Sequence, residues 1–116
     1  MKISGAAAVF PVSDIGATLR YYTEVLGFKE EFRGEQYAIV ERDGAVIHFS
    51  LRKDDPPGAG AVYVFCDEVD GYYEELVTRG AFLDAPPVNL PYGMRDFVVF
   101  DPDKNKLFFG CAVKAS

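Results

Sequence analysis

The chain has no tryptophan, a single histidine and only two cysteines in its 116 residues. Cys66 and Cys111 have neither the spacing of a metal-binding motif nor the density of a disulfide framework. Each lies in an apolar, strand-like run, which reads as a buried free thiol. Positive charge is also scarce, with 12 Lys and Arg against 18 Asp and Glu and a formal net charge of −6. That balance argues against nucleic acid or an anionic membrane as partner, and favours plain solubility or a cationic ligand. The opening MKISGAAAVFPV is broken by Pro11, and its apolar run is too short for a signal core or a membrane span. The cytoplasm is therefore the expected location. No P-loop, dinucleotide glycine fingerprint, nucleophile elbow or aligned basic cluster is present. Long polar or repetitive tracts are missing too, so one folded domain is expected, burying roughly two-thirds of its unfolded surface.

What is present centres on the stretch from Gly27 to Leu51. Phe28 to Phe32, Tyr37 to Glu41 and Ala45 to Leu51 read as three strands. Asp43-Gly44 between the last two is a strong hairpin signal, because both turn residues must tolerate positive φ. A two-residue turn there puts Arg42 opposite Ala45 and Ile39 opposite His48. Side chains alternate across a strand, so Tyr37, Ile39 and Glu41 share a face with Val46, His48 and Ser50. An aromatic, an acid, a hydroxyl and the only imidazole on one face point to a working surface.

The rest of the first half reads as a strand over Ala6 to Val12, then an N-cap at Ser13-Asp14. A helix follows with Ile15, Leu19, Tyr22 and Leu26 at helical spacing, closed by Gly27. Residues Arg52 to Gly60 (RKDDPPGAG) read as a linker. The pattern then restarts with a strand over Ala61 to Cys66 and a helix capped by Asp67-Glu68, with Val69, Tyr73 and Leu76 as its buried stripe and Gly80 as its stop. A weak strand at Ala81 to Asp84, a loop over Ala85 to Pro91, strands Met94 to Phe100 and Lys106 to Val113, and the turn Asp101 to Asn105 complete the chain. Ile15 matches Val69, Tyr21-Tyr22 approximates Tyr72-Tyr73, and Gly27 matches Gly80. These correspondences indicate an internal duplication of a βαβββ module, with residues 1–52 as the first copy, 53–60 as the linker and 61–116 as the second. Each sheet needs a partner to cover it, in the same chain or in a second one. The expected class is α+β.

Several short stretches together resemble one family. They are Val12-Ser13-Asp14-Ile15, Tyr22, Leu26-Gly27-Phe28 and Glu41-Arg42-Asp43-Gly44 in the first half. In the second they are Tyr92-Gly93-Met94-Arg95-Asp96-Phe97 and Asp101-Pro102-Asp103. In order and spacing the chain resembles the glyoxalase, bleomycin resistance protein and extradiol dioxygenase superfamily (the vicinal oxygen chelate fold), with bleomycin resistance proteins the nearest likeness. The resemblance implies paired βαβββ modules with curved mixed sheets around a cavity, in a homodimer.

It also implies where metal-dependent members carry their ligands, and those positions fall on Ala7, His48, Ala61 and Phe108. Only His48 can coordinate, and a catalytic divalent ion normally needs three protein ligands. No metal and no cofactor are therefore expected. The metal-free branch sequesters a large cationic glycopeptide antibiotic, and its stacking aromatics correspond to Phe32, Tyr37, Tyr63, Phe65 and Tyr92. Alternation independently puts Tyr63 and Phe65 on one face with Ala61, and Val62, Val64 and Cys66 on the other, against a helix. The expected ligand-binding set is Phe32, Tyr37, Ile39, His48, Tyr63, Phe65, Tyr92, Asp96 and Phe108. Glu35 and Glu41 are further candidates for charge matching, and no residue is expected to be catalytic. The expected partner is an aromatic or cationic small molecule, bleomycin-like or other. The absence of tryptophan, and Lys104 where the family's turn usually has glycine, are departures from the family pattern. The alternative is a metal-dependent enzyme of the superfamily that uses His48.

Overall fold

The computed structural model describes residues 1–51 and 55–113. The first half consists of β1 (Ala8–Pro11), α1 (Ile15–Arg20), β2 (Lys29–Arg33), β3 (Tyr37–Arg42) and β4 (Ala45–Ser50). The second contains β5 (Ala61–Phe65), α2 (Asp70–Arg79), β6 (Phe82–Leu83), β7 (Val88–Asn89), β8 (Met94–Phe100) and β9 (Lys106–Ala112). The first sheet has the order β1-β4-β3-β2, and the second β5-β9-β8-β6 with β7 also paired to β8. In both, the first strand runs parallel to the last and the remaining pairs are antiparallel. The fold is α+β with two mixed sheets, as the sequence leads one to expect.

The hairpin forms as its chemistry requires. Asp43 and Gly44 both have positive φ, 51° and 89°, and the register pairs Arg42 with Ala45 and Ile39 with His48. Gly80 ends α2 in the left-handed conformation, φ 78°. Asp14 caps α1 by accepting the Ala17 amide at 2.9 Å. In the second helix the N-cap is Val69, whose side chain makes no capping bond; of the expected pair Asp67-Glu68, Glu68 just before it accepts the Gly71 amide at 2.8 Å.

Some boundaries differ from the expectation. β1 starts at Ala8, and β7 lies inside the stretch read as a loop, held by Val88 opposite Asp96. The first helix does not run evenly to Leu26 but widens into a π-helical turn over Tyr21–Val25, with the Leu26 amide on the Tyr21 carbonyl at 3.1 Å. The wider turn leaves both Tyr21 and Tyr22 buried and lets both reach the other half. The expected linker lies partly outside the described residues, at Arg52, Lys53 and Asp54.

A single core runs through both halves. Phe10, Leu19, Tyr22, Leu26, Val40 and Phe49 belong to it from the first, and Val69, Leu76, Phe97, Val99, Leu107 and Phe109 from the second. Polar ties cross the same boundary. Tyr21 donates to the Phe100 carbonyl at 2.7 Å and Tyr72 to the Leu26 carbonyl at 2.6 Å, so the first tyrosine of each matched pair anchors in the opposite half. Asp101, only 2% exposed, accepts four bonds at 2.9–3.0 Å, from the Tyr22 hydroxyl, the Asn105 side chain and the Asp103 and Asn105 amides. Asn105, fully buried, also donates to the Pro11 carbonyl and accepts the Gly60 amide. Lys104 takes the left-handed conformation that closes this turn, φ 73°.

Removing one partner from this cluster strands a buried donor or acceptor, each costing about 1–3 kcal/mol. Asp101→Ala should lower the unfolding free energy by about 3 kcal/mol, and Tyr22→Phe by about 1 kcal/mol, in urea denaturation. Equal stabilities would show that the turn does not fasten the halves together.

Candidate functional site

Strand alternation divides each sheet into a core side and an open side. In β3 the fully buried Ala38 and Val40 alternate with half-buried Tyr37 and Ile39. In β5 Val62 and Val64 pack on the core, with Cys66 just beyond the strand, while Phe65 on the opposite side is 77% exposed. The structure gathers the nine candidate residues on the open sides, in two clusters, one per sheet.

The first cluster contains Phe32, Tyr37, Ile39 and His48. A bulge in β2 between Glu30 and Phe32 brings Phe32 opposite Ile39, where its ring is 49% exposed. Ile39 faces His48 across the hairpin, and Val9 faces it from β1. The Tyr37 hydroxyl lies 2.7 Å from His48 Nδ1, with the rings edge to face at 5.5 Å.

The second cluster contains Tyr63, Phe65, Tyr92, Asp96 and Phe108. Tyr63 stacks on Phe108 at 6.1 Å and 8°, and tilts against Phe65 at 5.1 Å. It lies across Gly110, where a methyl group would run into its phenol. Gly110 pairs with both Phe65 and Asp96, so glycine there lets the ring reach the carboxylate. Asp96 Oδ2 accepts Tyr63 at 3.0 Å and Tyr92, which is 66% exposed, at 3.5 Å. Burial, and then the bond to Asp96, push the Tyr63 hydroxyl up to about 12.

Among the described residues, the hydrogen bonds and ring contacts that hold each cluster lie within one half. Of the two further acids, Glu35 is exposed. Glu41 accepts the Gly44 amide at 2.7 Å and is thus occupied in closing the hairpin turn. Both cysteines are free and half-buried, more accessible than the sequence suggests. One feature drawn from both halves escaped sequence reasoning. Arg42 lies over the Tyr72 ring at 5.1 Å and donates to the Leu26 carbonyl, beside a cavity of about 430 Å³ that Phe28, Cys66 and Glu68 also line. Arg42 reads in sequence as an ordinary charged strand end, and nothing local signals its partner.

A family model for the Glyoxalase/Bleomycin resistance protein/Dioxygenase superfamily matches residues 6–109. The chain belongs to this superfamily. Among solved structures, it is similar to the bleomycin-binding protein from bleomycin-producing Streptomyces verticillus complexed with copper(II)-bleomycin. Identity is 26% and the TM-score 0.82, over 98% of this chain and 99% of that one. TnmS3, an antibiotic binding protein from Streptomyces sp. CB03234, is 27% identical with a TM-score of 0.81, over 97% and 99%. A superfamily member from Sphaerobacter thermophilus DSM 20745 is 26% identical with a TM-score of 0.84, over 96% and 99%. A search of curated proteins finds no match.

The metal of the superfamily's enzymes does not fit the residues present here. Ala7, Ala61 and Phe108 offer no lone pair, and His48 is flanked by Val9 and Ile39. Moving two residues along each strand brings Val9, Val46, Ser50, Tyr63, Lys106 and Gly110, none of them an acid or imidazole. Among the described residues, no three His, Cys, Asp or Glu side chains gather where they could hold an ion.

The phenol of Tyr63 is favoured by folding. That contribution is complete below its unfolded pKa of about 10 and is lost as pH rises towards about 12. In ultraviolet titration, the difference between wild type and Tyr63→Phe should show a late transition near pH 12. Asp96→Asn should move it down but leave it above about 10, because burial is the larger cause. A midpoint unmoved by Asp96→Asn would show that the two groups are not coupled.

Proposed function

We propose that this chain is a metal-free binding protein that sequesters an aromatic or cationic small molecule, bleomycin-like or other, without turning it over. The observation behind this reading is the pair of open aromatic clusters, one with an imidazole bound to a tyrosine hydroxyl and one with a carboxylate bound to two. Rings on an open sheet face offer stacking and cation–π contacts, each on the order of 1 kcal/mol or more when desolvated. Asp96 supplies charge for a cation, and the acidic surface raises its rate of encounter. The ligand-binding residues on this reading are Phe32, Tyr37, Ile39, His48, Tyr63, Phe65, Tyr92, Asp96 and Phe108. Similarity to two antibiotic-binding proteins supports the ligand class.

The reading takes residues 1–52 and 61–116 as modules joined by 53–60, and a homodimer in which a second copy covers the open faces. It places the protein in the cytoplasm and gives antibiotic resistance as its biological effect. Among the described residues no helix is long and apolar enough to cross a membrane. His48 is the single feature favouring the rival, a metal-dependent lyase, isomerase or dioxygenase.

Titration with copper-free and copper-bound bleomycin, followed by tyrosine fluorescence, tests the reading. Saturable binding is expected, weakened at least tenfold (about 1.4 kcal/mol) in Tyr37→Ala and less in Tyr37→Phe, which keeps the ring. Binding that Tyr37→Ala leaves level would remove Tyr37 from the surface. No binding of either form would exclude bleomycin as the guest.

A further inference from the structure

The cavity of about 430 Å³ beside Arg42 lies on the seam between the two halves. Phe28, Arg42 and Ala45 line it from the first half, and β5, β9 and α2 line it from the second. Ala45, Val64, Tyr72 and Phe109 give it apolar walls that belong to the core or pack against it. Of the nine proposed ligand-binding residues, only Phe65 reaches this cavity. One wall is firmly held. Arg42 and Tyr72 both donate to the Leu26 carbonyl, at 2.8 and 2.6 Å, with the guanidinium 5.1 Å from the ring centre. The volume is within the range of small-molecule sites.

Its shape and charge select a different guest from the open faces. The ring faces here are already taken: Arg42 covers Tyr72, and Phe28 and Phe109 are only 5% and 4% exposed. A flat ring therefore finds little to stack on, whereas a compact aliphatic body can fill the space. The charges are unevenly matched. Arg42 lies 3.8 Å from Asp43, and Arg79 pairs with Glu75 at 2.7 Å. Asp67 and Glu68, both exposed, have no cationic partner among the described residues. They also line an adjoining cavity with Arg95, but that guanidinium is held by Asp70 at 2.7 Å. Two carboxylates on an open surface would only be solvated; these border an apolar cavity, where a cation meets charge and apolar walls together. We propose that the seam cavity binds a compact aliphatic ammonium ion, its head at Asp67 and Glu68 and its body against Ala45, Val64 and Phe109.

Each part of the cavity has a role on this assignment. Arg42 repels the ammonium head and so keeps it towards the two carboxylates. Glu68 is oriented by the Gly71 amide, which it accepts at 2.8 Å. The ties to Leu26 hold the cavity wall before the guest arrives, which lowers the ordering cost of binding. Because the carboxylates are exposed, added salt weakens the interaction. The site is independent of the open faces and stands or falls separately from them.

The test is an NMR titration of the isotope-labelled full chain with cyclohexylammonium chloride at constant ionic strength. Saturable shifts are expected at the amides of Ala45, Val64 and Gly71. Cyclohexanecarboxylate keeps the body and reverses the charge, and methylammonium keeps the charge without the body. Each should bind about tenfold more weakly or worse, and these comparisons use the wild-type protein alone. Asp67→Asn should weaken cyclohexylammonium binding by about threefold, the size of an exposed ion pair. Four results would overturn the proposal: no saturable shift, an equal response to either control compound, shifts confined to Tyr63 and His48 on the open faces, or unchanged affinity in Asp67→Asn.

Discussion

The carboxylate of Asp101 sits in the last turn of the chain, shielded from water and surrounded by donors from both halves. Taking a carboxylate out of water costs several kcal/mol unless every lone pair is met. Here Tyr22, Asn105 and two backbone amides meet them. Asn105 extends the cluster to Pro11 and Gly60, and Ser13 binds the neighbouring Asp103. The turn between β8 and β9 is thereby fastened to the start of the first half. The π-helical turn belongs to the same constraint, since both of its tyrosines reach across. With the halves joined in this way their inner faces form one core, and the other face of each sheet is left uncovered.

The character of those uncovered faces follows from strand alternation. In β3, β4, β8 and β9 the buried core-side positions are apolar, among them Ala38, Val40, Ile47, Phe49, Phe97, Val99, Leu107 and Phe109. The intervening positions carry Tyr37, His48, Tyr63, Asp96 and Phe108, which pair with each other through hydrogen bonds and ring contacts rather than with the core. Two tyrosine hydroxyls converge on one carboxylate and a third meets the imidazole. On the proposed reading, such rings are held in place before a guest arrives, which lowers the ordering cost of binding.

Much of the fold was legible because its signals are local. Asp43-Gly44 can form only a narrow class of turns, and that turn fixes the register of β3 and β4, hence the face shared by Tyr37, Ile39 and His48. Gly80 marks the end of α2 for a similar reason, and alternation sorts Tyr63 and Phe65 from Val62 and Val64. The features that sequence did not reveal all depend on distant partners. No short turn links β3 to α2, so the seating of Arg42 over Tyr72 emerges only from the packing of the two halves. Tyr21 looks like a surface residue of a regular helix until Phe100 and Phe82 are seen beside it. The division of the candidate residues into two clusters, with Glu41 excluded, likewise depends on which sheet and which turn each belongs to.

The central claim is that the open faces hold a guest through rings and polar groups, with no divalent metal centre around His48. Elemental analysis of protein purified without chelators tests this most directly, because zinc, manganese, iron and nickel are the ions such a centre would hold. The account predicts far less than one equivalent of any of them. A stoichiometric amount of one, retained by wild type and lost in His48→Ala, would contradict it.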